Sequence, residues 1–195
     1  AAFQKGEVRL GMDATKGYFL DHASQFSIIH FSGHARANER FPLRSHLEFG
    51  PKPGDKLFAW EIYNMELKAE LAVLSGCETG FGQYQRGEGV MGLARSFRYA
   101  GVPNIIQSLW LADGEATKLL MDQLYQSKSF ENSLGSAIQE ARIQFLQETP
   151  ERFHHPYYWA NFVMVGPDIQ KSNMSWIPVL VGLFFLLLLG FLFRR

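Results

Sequence analysis

Two residues of this chain carry the types and surroundings that nucleophilic chemistry needs. Cys77 sits in the run Leu74-Ser75-Gly76-Cys77-Glu78-Thr79-Gly80, and His34 in Ser32-Gly33-His34-Ala35. A free thiol has a pKa of about 8.5 and is mostly protonated at neutral pH. An imidazole beside it generates the thiolate and later protonates a leaving amine. Both residues follow a glycine, which leaves room for a substrate backbone to approach. The amide of Cys77 and one from the turn Gly33 to Ala35 could hold an oxyanion, and losing one such donor typically costs about 2.7–4 kcal/mol in the transition state. A lone cysteine is more often a small buried hydrophobe. Cys77 departs from that pattern because it follows a strand, in a glycine-rich loop, with a histidine in the equivalent place. The remaining histidines read differently. His30 lies within its strand as a satisfied core residue, and His22 and His46 have no catalytic argument. His154 and His155 precede Pro156 in a loop, where a structural role fits. No histidine pair has the spacing and acidic company of a metal site, and no cofactor is implied.

The elements that must hold these residues alternate along the chain. Ala14–Ala23 has helical spacing with Asp13 as N-cap. Ser27–Phe31 is a short apolar run suited to a strand buried on both faces, and Ser45–Phe49 alternates like a half-exposed one. Ala59–Met65 makes one or two helical turns. Leu71–Ser75 is the second buried strand, Gly76–Glu88 a loop, Gly89–Ala100 an amphipathic helix ended by Gly101 and Pro103. Asn104–Leu109 is the third buried strand, Glu115–Gln126 and Ser133–Gln147 are helices, and Trp159–Val165 is a last strand. This order implies an α/β fold with a parallel sheet and helices on its faces. In open parallel sheets, sites form beyond the carboxyl ends of the strands. If the first two buried strands are neighbours, His34 and Cys77 emerge side by side. Gly87-Glu88-Gly89-Val90-Met91-Gly92 matches a dinucleotide fingerprint in form only, because that loop must follow a strand at once and here it does not.

Composition narrows the function. The 195 residues carry nineteen Lys and Arg against nineteen Asp and Glu, leaving no basic excess to neutralise nucleic-acid phosphates. A hydrophobic fraction of 47% excludes disorder. One cysteine excludes an internal disulfide framework. The chain opens on Ala1 without a signal-peptide pattern and reads as a piece of a longer protein.

The C-terminal end is different material. Ile177 to Phe193 is seventeen residues without a charge, fourteen of them Ile, Val, Leu or Phe. A helix of that length reaches roughly 26 Å, near the lower limit for crossing a bilayer. Trp176 stands at one end and Arg194 and Arg195 at the other, as interfacial residues would. Residues 176–195 therefore read as a tail anchor in the lipid bilayer, 168–175 as a juxtamembrane linker and 1–167 as the folded domain. A catalytic thiol favours a reducing compartment, which puts the domain on the cytoplasmic side of a single-pass membrane protein.

The ordered set HFSGHA (30–35), LSGCETG (74–80), GEGVMGLARSFRYAGV (87–102), SLWLADGEAT (108–117) and HPYYWANFVMVG (155–166) resembles the CHAT domain, the caspase-like domain associated with tetratricopeptide repeats. The resemblance implies a caspase-like three-layer sandwich, a mostly parallel sheet between helices, and a cysteine endopeptidase whose His–Cys dyad maps onto His34 and Cys77. Caspases carry glycine directly after the catalytic histidine, whereas here Gly33 precedes His34 and Ala35 follows it. Basic-residue-specific relatives place an acidic side chain in the pocket for the residue before the cut. That implies Asp113 here, with Glu115 behind it, pairing a substrate Arg or Lys; Asp113 as N-cap of the next helix is an equal reading. The resemblance also implies a protein substrate, further strands and helices ahead of residue 1, and an upstream tetratricopeptide-repeat region in the parent protein. The competing readings are a catalytically silent binding or signalling module and a Cys–His acyltransferase or amidohydrolase.

Overall fold

In the computed structural model, residues 6–38, 40–50, 55–76, 83–85, 89–111 and 113–168 are described. Among them run α1 (Lys16–His22), β1 (Ile28–Phe31), β2 (Ala35–Arg36), β3 (His46–Glu48), β4 (Lys56–Phe58), α2 (Ala59–Tyr63), β5 (Leu71–Leu74), β6 (Gln83–Gln85), β7 (Gly89–Met91), α3 (Leu93–Tyr99), β8 (Asn104–Ser108), α4 (Gly114–Gln126), α5 (Leu134–Glu148) and β9 (Phe162–Val165). The main sheet has the order β1-β5-β8-β9. β1 pairs β5 in parallel, with Phe31 opposite Leu74, and β5 pairs β8 in parallel.

The apolar runs at the centre of the sheet form strands because both faces are covered there, whereas β1, expected to be buried on both faces, lies at the edge and leaves His30 exposed. All four residues of β5 are buried. Side chains alternate across a strand, so Phe31, Leu74 and Ile105 face one layer, containing Leu93 and Phe97 of α3 and Ile62 of α2. Val73, Ile106 and Phe162 face the other, containing Leu120 and Leu124 of α4 and Leu134 and Phe145 of α5. Helices thus flank a mostly parallel sheet, as the sequence implies.

Several local readings are corrected. β9 runs antiparallel to β8, although simple alternation suggests a parallel last strand. Two helices, α4 and α5, separate β8 from β9, so the chain returns to the sheet edge it left and must run back down. The helix read from Gly89 starts at Leu93, because Gly89–Met91 pairs instead with Gln83–Gln85 as an antiparallel hairpin. That hairpin occupies part of the expected loop. α1 is capped by Thr15, whose hydroxyl accepts from the Tyr18 N–H at 3.1 Å, rather than by Asp13. The strand expected at Ser45–Phe49 shortens to β3 and lies in a second, antiparallel sheet β2-β3-β4, whose Leu47 and Leu57 are fully buried.

Gly101 ends α3 with φ of 109°, and a Cβ there would lie 2.7 Å from the Leu67 carbonyl oxygen. Only glycine takes that turn without strain. At the far end, Asp168 fastens to the start of α5: its carboxylate accepts from the Leu134 N–H at 2.7 Å and the Ser133 hydroxyl at 2.9 Å. Among the described residues no helix is long and apolar enough to cross a membrane. The run 177–193 lies outside the described residues.

Candidate active site at the strand tips

The site grows from the ends of three strands. β1 leaves the sheet at Phe31 and passes through Ser32, Gly33 and His34 into β2. β5 leaves at Leu74 and continues through Ser75 and Gly76 toward Cys77, which lies outside the described residues. The ladder extends one step past the strands, since the Ser75 N–H donates to the Phe31 carbonyl at 2.9 Å. Beyond it the two backbones touch. A Cβ added to Gly76 would sit 2.3 Å from the Gly33 carbonyl oxygen, so no larger residue fits without moving the strands apart. The buried Ser108 hydroxyl at the tip of β8 donates to the Gly76 carbonyl at 2.7 Å. That bond fixes the carbonyl from which the chain proceeds to Cys77.

His34 is exposed, and its carbonyl accepts from the Glu48 N–H at 2.8 Å, tying the turn to β3. Ala35, the next oxyanion candidate, is buried and pairs with Leu47 in the small sheet. His34 lines a cleft of about 490 Å³. One wall is the strand tips, with His30, Ser32, Gly33, Ser75 and Gly76; the other is a single face of α4. Gly114, Thr117, Lys118, Met121, Asp122 and Tyr125 line that wall, and their spacing of three and four is that of one helical face.

His30 is where the residue-by-residue reading misses a cleft residue. It is satisfied by hydrogen bonds, as expected, but it faces the cleft and not a core. Its Nε2 lies 2.8 Å from Ser75 Oγ and its Nδ1 2.8 Å from the Tyr125 hydroxyl. The protein packed around the ring strips its solvation and lowers its pKa to about 4, even though part of its surface stays open. The same burial pushes the Tyr125 hydroxyl up. Strand alternation holds the signal, since Ile29 and Phe31 face the core and leave His30 on the opposite side.

Asp113 caps α4, its Oδ1 accepting from the Ala116 N–H at 2.9 Å. Glu115 is exposed and pairs with Arg152 at 3.2 Å, a surface contact worth little. Neither lines the cleft among the described residues. The loop ahead of Asp113 is held by reciprocal bonds: Trp110 Nε1 donates to the Tyr157 carbonyl at 3.0 Å, and the Tyr157 hydroxyl donates to the Leu111 carbonyl at 2.9 Å. Among the described residues no three of His, Cys, Asp and Glu converge as a metal site needs.

Comparison with known proteins places this geometry. Residues 1–167 match the family model of the CHAT domain. Tetratricopeptide repeat protein 28 of Mus musculus is 26% identical over 119 residues, which is 61% of this chain and 5% of that protein. The Homo sapiens protein of the same name is 27% identical over 119 residues, with the same shares. The chain thus spans about a twentieth of the length of these curated relatives. Among solved structures, the separase–securin complex of Saccharomyces cerevisiae contains a chain similar over 81% of this one and 10% of its own length, with a TM-score of 0.56 at 15% identity. That likeness is one of fold.

The backbone contact at the tips is directly testable. Gly76→Ala should destabilise the domain by about 1–3 kcal/mol, the usual cost of forcing extra atoms into a packed position. Gly17→Ala, on α1 with nothing within 4 Å of the added Cβ, should stabilise it by about 0.4–1 kcal/mol. Urea denaturation of both variants checks this, and equal midpoints would remove the contact from the account.

Proposed function

The chain belongs to the CHAT domain family, and from that premise we propose that it is a cysteine peptidase in which His34 and Cys77 form the dyad. The observation that carries the reading is the parallel pairing of β1 with β5, closed at its tip by Gly33 against Gly76. His34 and Cys77 each follow one of those two glycines. In this mechanism the His34 imidazole takes the thiol proton and the thiolate adds to the scissile carbonyl carbon. The Cys77 amide and an amide of the turn Gly33 to Ala35 hold the oxyanion. Collapse expels the amine, which takes its proton from His34. Water activated by the same imidazole then releases the acyl group as a carboxylic acid and regenerates the thiol. The cleft between the tips and α4 suits an extended polypeptide as substrate, and the tetratricopeptide-repeat relatives support an upstream repeat region in the parent protein.

Labelling with a thiol-reactive peptidyl probe tests the dyad. The wild type should be labelled, and Cys77→Ala should not. His34→Ala should label at least 100-fold more slowly, in line with the usual weight of general acid–base catalysis. Labelling of His34→Ala at the wild-type rate would remove the imidazole from the chemistry.

In the same reading Asp113 serves twice, capping α4 and offering its charge to a basic side chain before the cut, with Glu115 adding charge behind it. Asn caps helices about as well as Asp. Asp113→Asn should therefore keep stability within about 0.5 kcal/mol while relaxing any Arg or Lys preference in a peptide-library profile. An unchanged profile would leave the capping role alone.

We further propose that residues 176–195 anchor the chain in a bilayer by their uncharged run, with 168–175 as linker and the peptidase on the cytoplasmic side. After an alkaline carbonate wash the full chain should stay in the membrane pellet, and a chain ended at Ser175 should move to the supernatant. A full chain found in the supernatant would refute the anchor.

A further inference from the structure

Three elements that frame the cleft are joined by one chain of hydrogen bonds. Tyr125 on α4 reaches His30 Nδ1 at 2.8 Å, His30 on β1 reaches Ser75 Oγ at 2.8 Å, and the Ser75 hydroxyl reaches the Phe31 carbonyl at 3.3 Å. The proton count sets its direction. Burial keeps the Tyr125 hydroxyl protonated, so it can donate to Nδ1. A neutral imidazole then carries its proton on Nε2 and donates it to Ser75. The serine proton is left for the Phe31 carbonyl. The reverse direction would spend the serine proton on Nε2 and leave the Phe31 contact without one.

The chain ends where the dyad begins. Ser75 lies two residues before Cys77 and Phe31 three before His34. We propose that Tyr125, His30 and Ser75 act as positioning residues for the dyad, holding the tips of β1 and β5 in register with each other and with the α4 wall. The proposal rests on the peptidase reading. Misplacement of a catalytic group by about 1 Å can cost as much as 10²-fold in rate, so a hydrogen-bonded clamp just behind both groups matters to the chemistry without touching substrate.

The clamp has a built-in acid limit. In the fold His30 is neutral down to about pH 4, whereas an unfolded histidine protonates near 6.5. The unfolded chain therefore binds more protons between those values, and this group's contribution to stability falls as the pH drops from about 6.5 toward 4. Tyr125 reaches His30 from the opposite, α4 wall, where Lys118 and Asp122 line the same cleft with His34 of the β1 turn; β5 presents the uncharged Ser75.

Tyr125→Phe and Ser75→Ala cut the chain at its two ends. Tyr125→Phe keeps the ring that packs on Phe130, at 5.3 Å between centroids. The readout is the rate of Cys77 labelling by a thiol-reactive peptidyl probe at saturation, measured from pH 4.5 to 8 and divided by the final labelled fraction. A variant that only unfolds part of the sample lowers the fraction and leaves the rate. We expect both variants to lose about 3- to 10-fold in that rate, with the probe's half-saturation changed less than about twofold. Nitrogen shifts of His30 should report the Nε2–H tautomer at pH 6 in the wild type and a raised pKa in Tyr125→Phe. Wild-type rates at every pH in both variants, or an Nδ1–H tautomer, would overturn the clamp while leaving the peptidase standing. A wild type that never labels would overturn the peptidase reading, and the positioning role with it.

Discussion

The site depends on two peptide backbones meeting where no side chain can intervene. The register of β1 with β5 ends at Phe31 opposite Leu74, and past it the two backbones stay in close approach at Gly33 and Gly76. A Cβ at Gly76 would fall 2.3 Å from a carbonyl oxygen, far inside any contact distance. The backbones can approach only because one residue carries no side chain. That approach lets a histidine turn and a cysteine loop leave the sheet from neighbouring points. The same edge of the sheet receives the start of α4, since a helix following a strand begins where the strand ends.

The two serines at this contact are buried in company. Ser75 and Ser108 are almost fully enclosed, and each places its hydroxyl on a backbone carbonyl at the tips. An unpartnered buried hydroxyl would cost about 1–3 kcal/mol, so these serines stabilise only the arrangement that satisfies them. They make the tips specific in a way that Leu, Val and Ile cannot. The apolar strands fix which elements lie together, and the serines fix how their last residues sit. α4 belongs to both schemes. Leu120 and Leu124 bind it to the sheet, while Lys118, Asp122 and Tyr125 of its adjoining face form the cleft wall.

Much of this could be read before any coordinates. Two runs, Leu71–Ser75 and Asn104–Leu109, are too apolar to be half-exposed strands, and β5 and β8 are indeed buried throughout; Ser27–Phe31 looks alike in sequence, yet β1 lies at the sheet edge and leaves His30 exposed. The rest was hidden for physical reasons. A three-residue strand such as Gln83–Gln85 has no period to detect, and its partner Gly89–Met91 carries apolar residues that extend a helical pattern by chance. β9 takes its direction from the count of helices before it, a property of topology and not of Phe162–Val165. His30 shows the difficulty most clearly: a histidine within a strand suggests a core position, alternation with Ile29 and Phe31 puts it on the other face, and the placement of Tyr125, ninety-five residues away, makes that face a cleft wall. Cys77 and the apolar tail lie outside the described residues, so their readings still stand on sequence.

The acidic pair after β8 shows how one residue can answer two questions. A helix beginning at the sheet edge leaves its first N–H groups without partners and its positive dipole end exposed. Asp113 satisfies an N–H directly, and Glu115 in the first turn adds favourable charge worth about 0.3–1 kcal/mol. The start of α4 therefore accounts for both carboxylates whether or not a substrate ever meets them. A specificity role has to be additional to that, carried by the part of the Asp113 charge that capping leaves accessible. The same logic separates the tip glycine from the wall residues. Gly76 is demanded by the fold, while an exposed Lys118 and Asp122 on a well-packed helix are not, and side chains the fold does not require are the ones free to serve recognition.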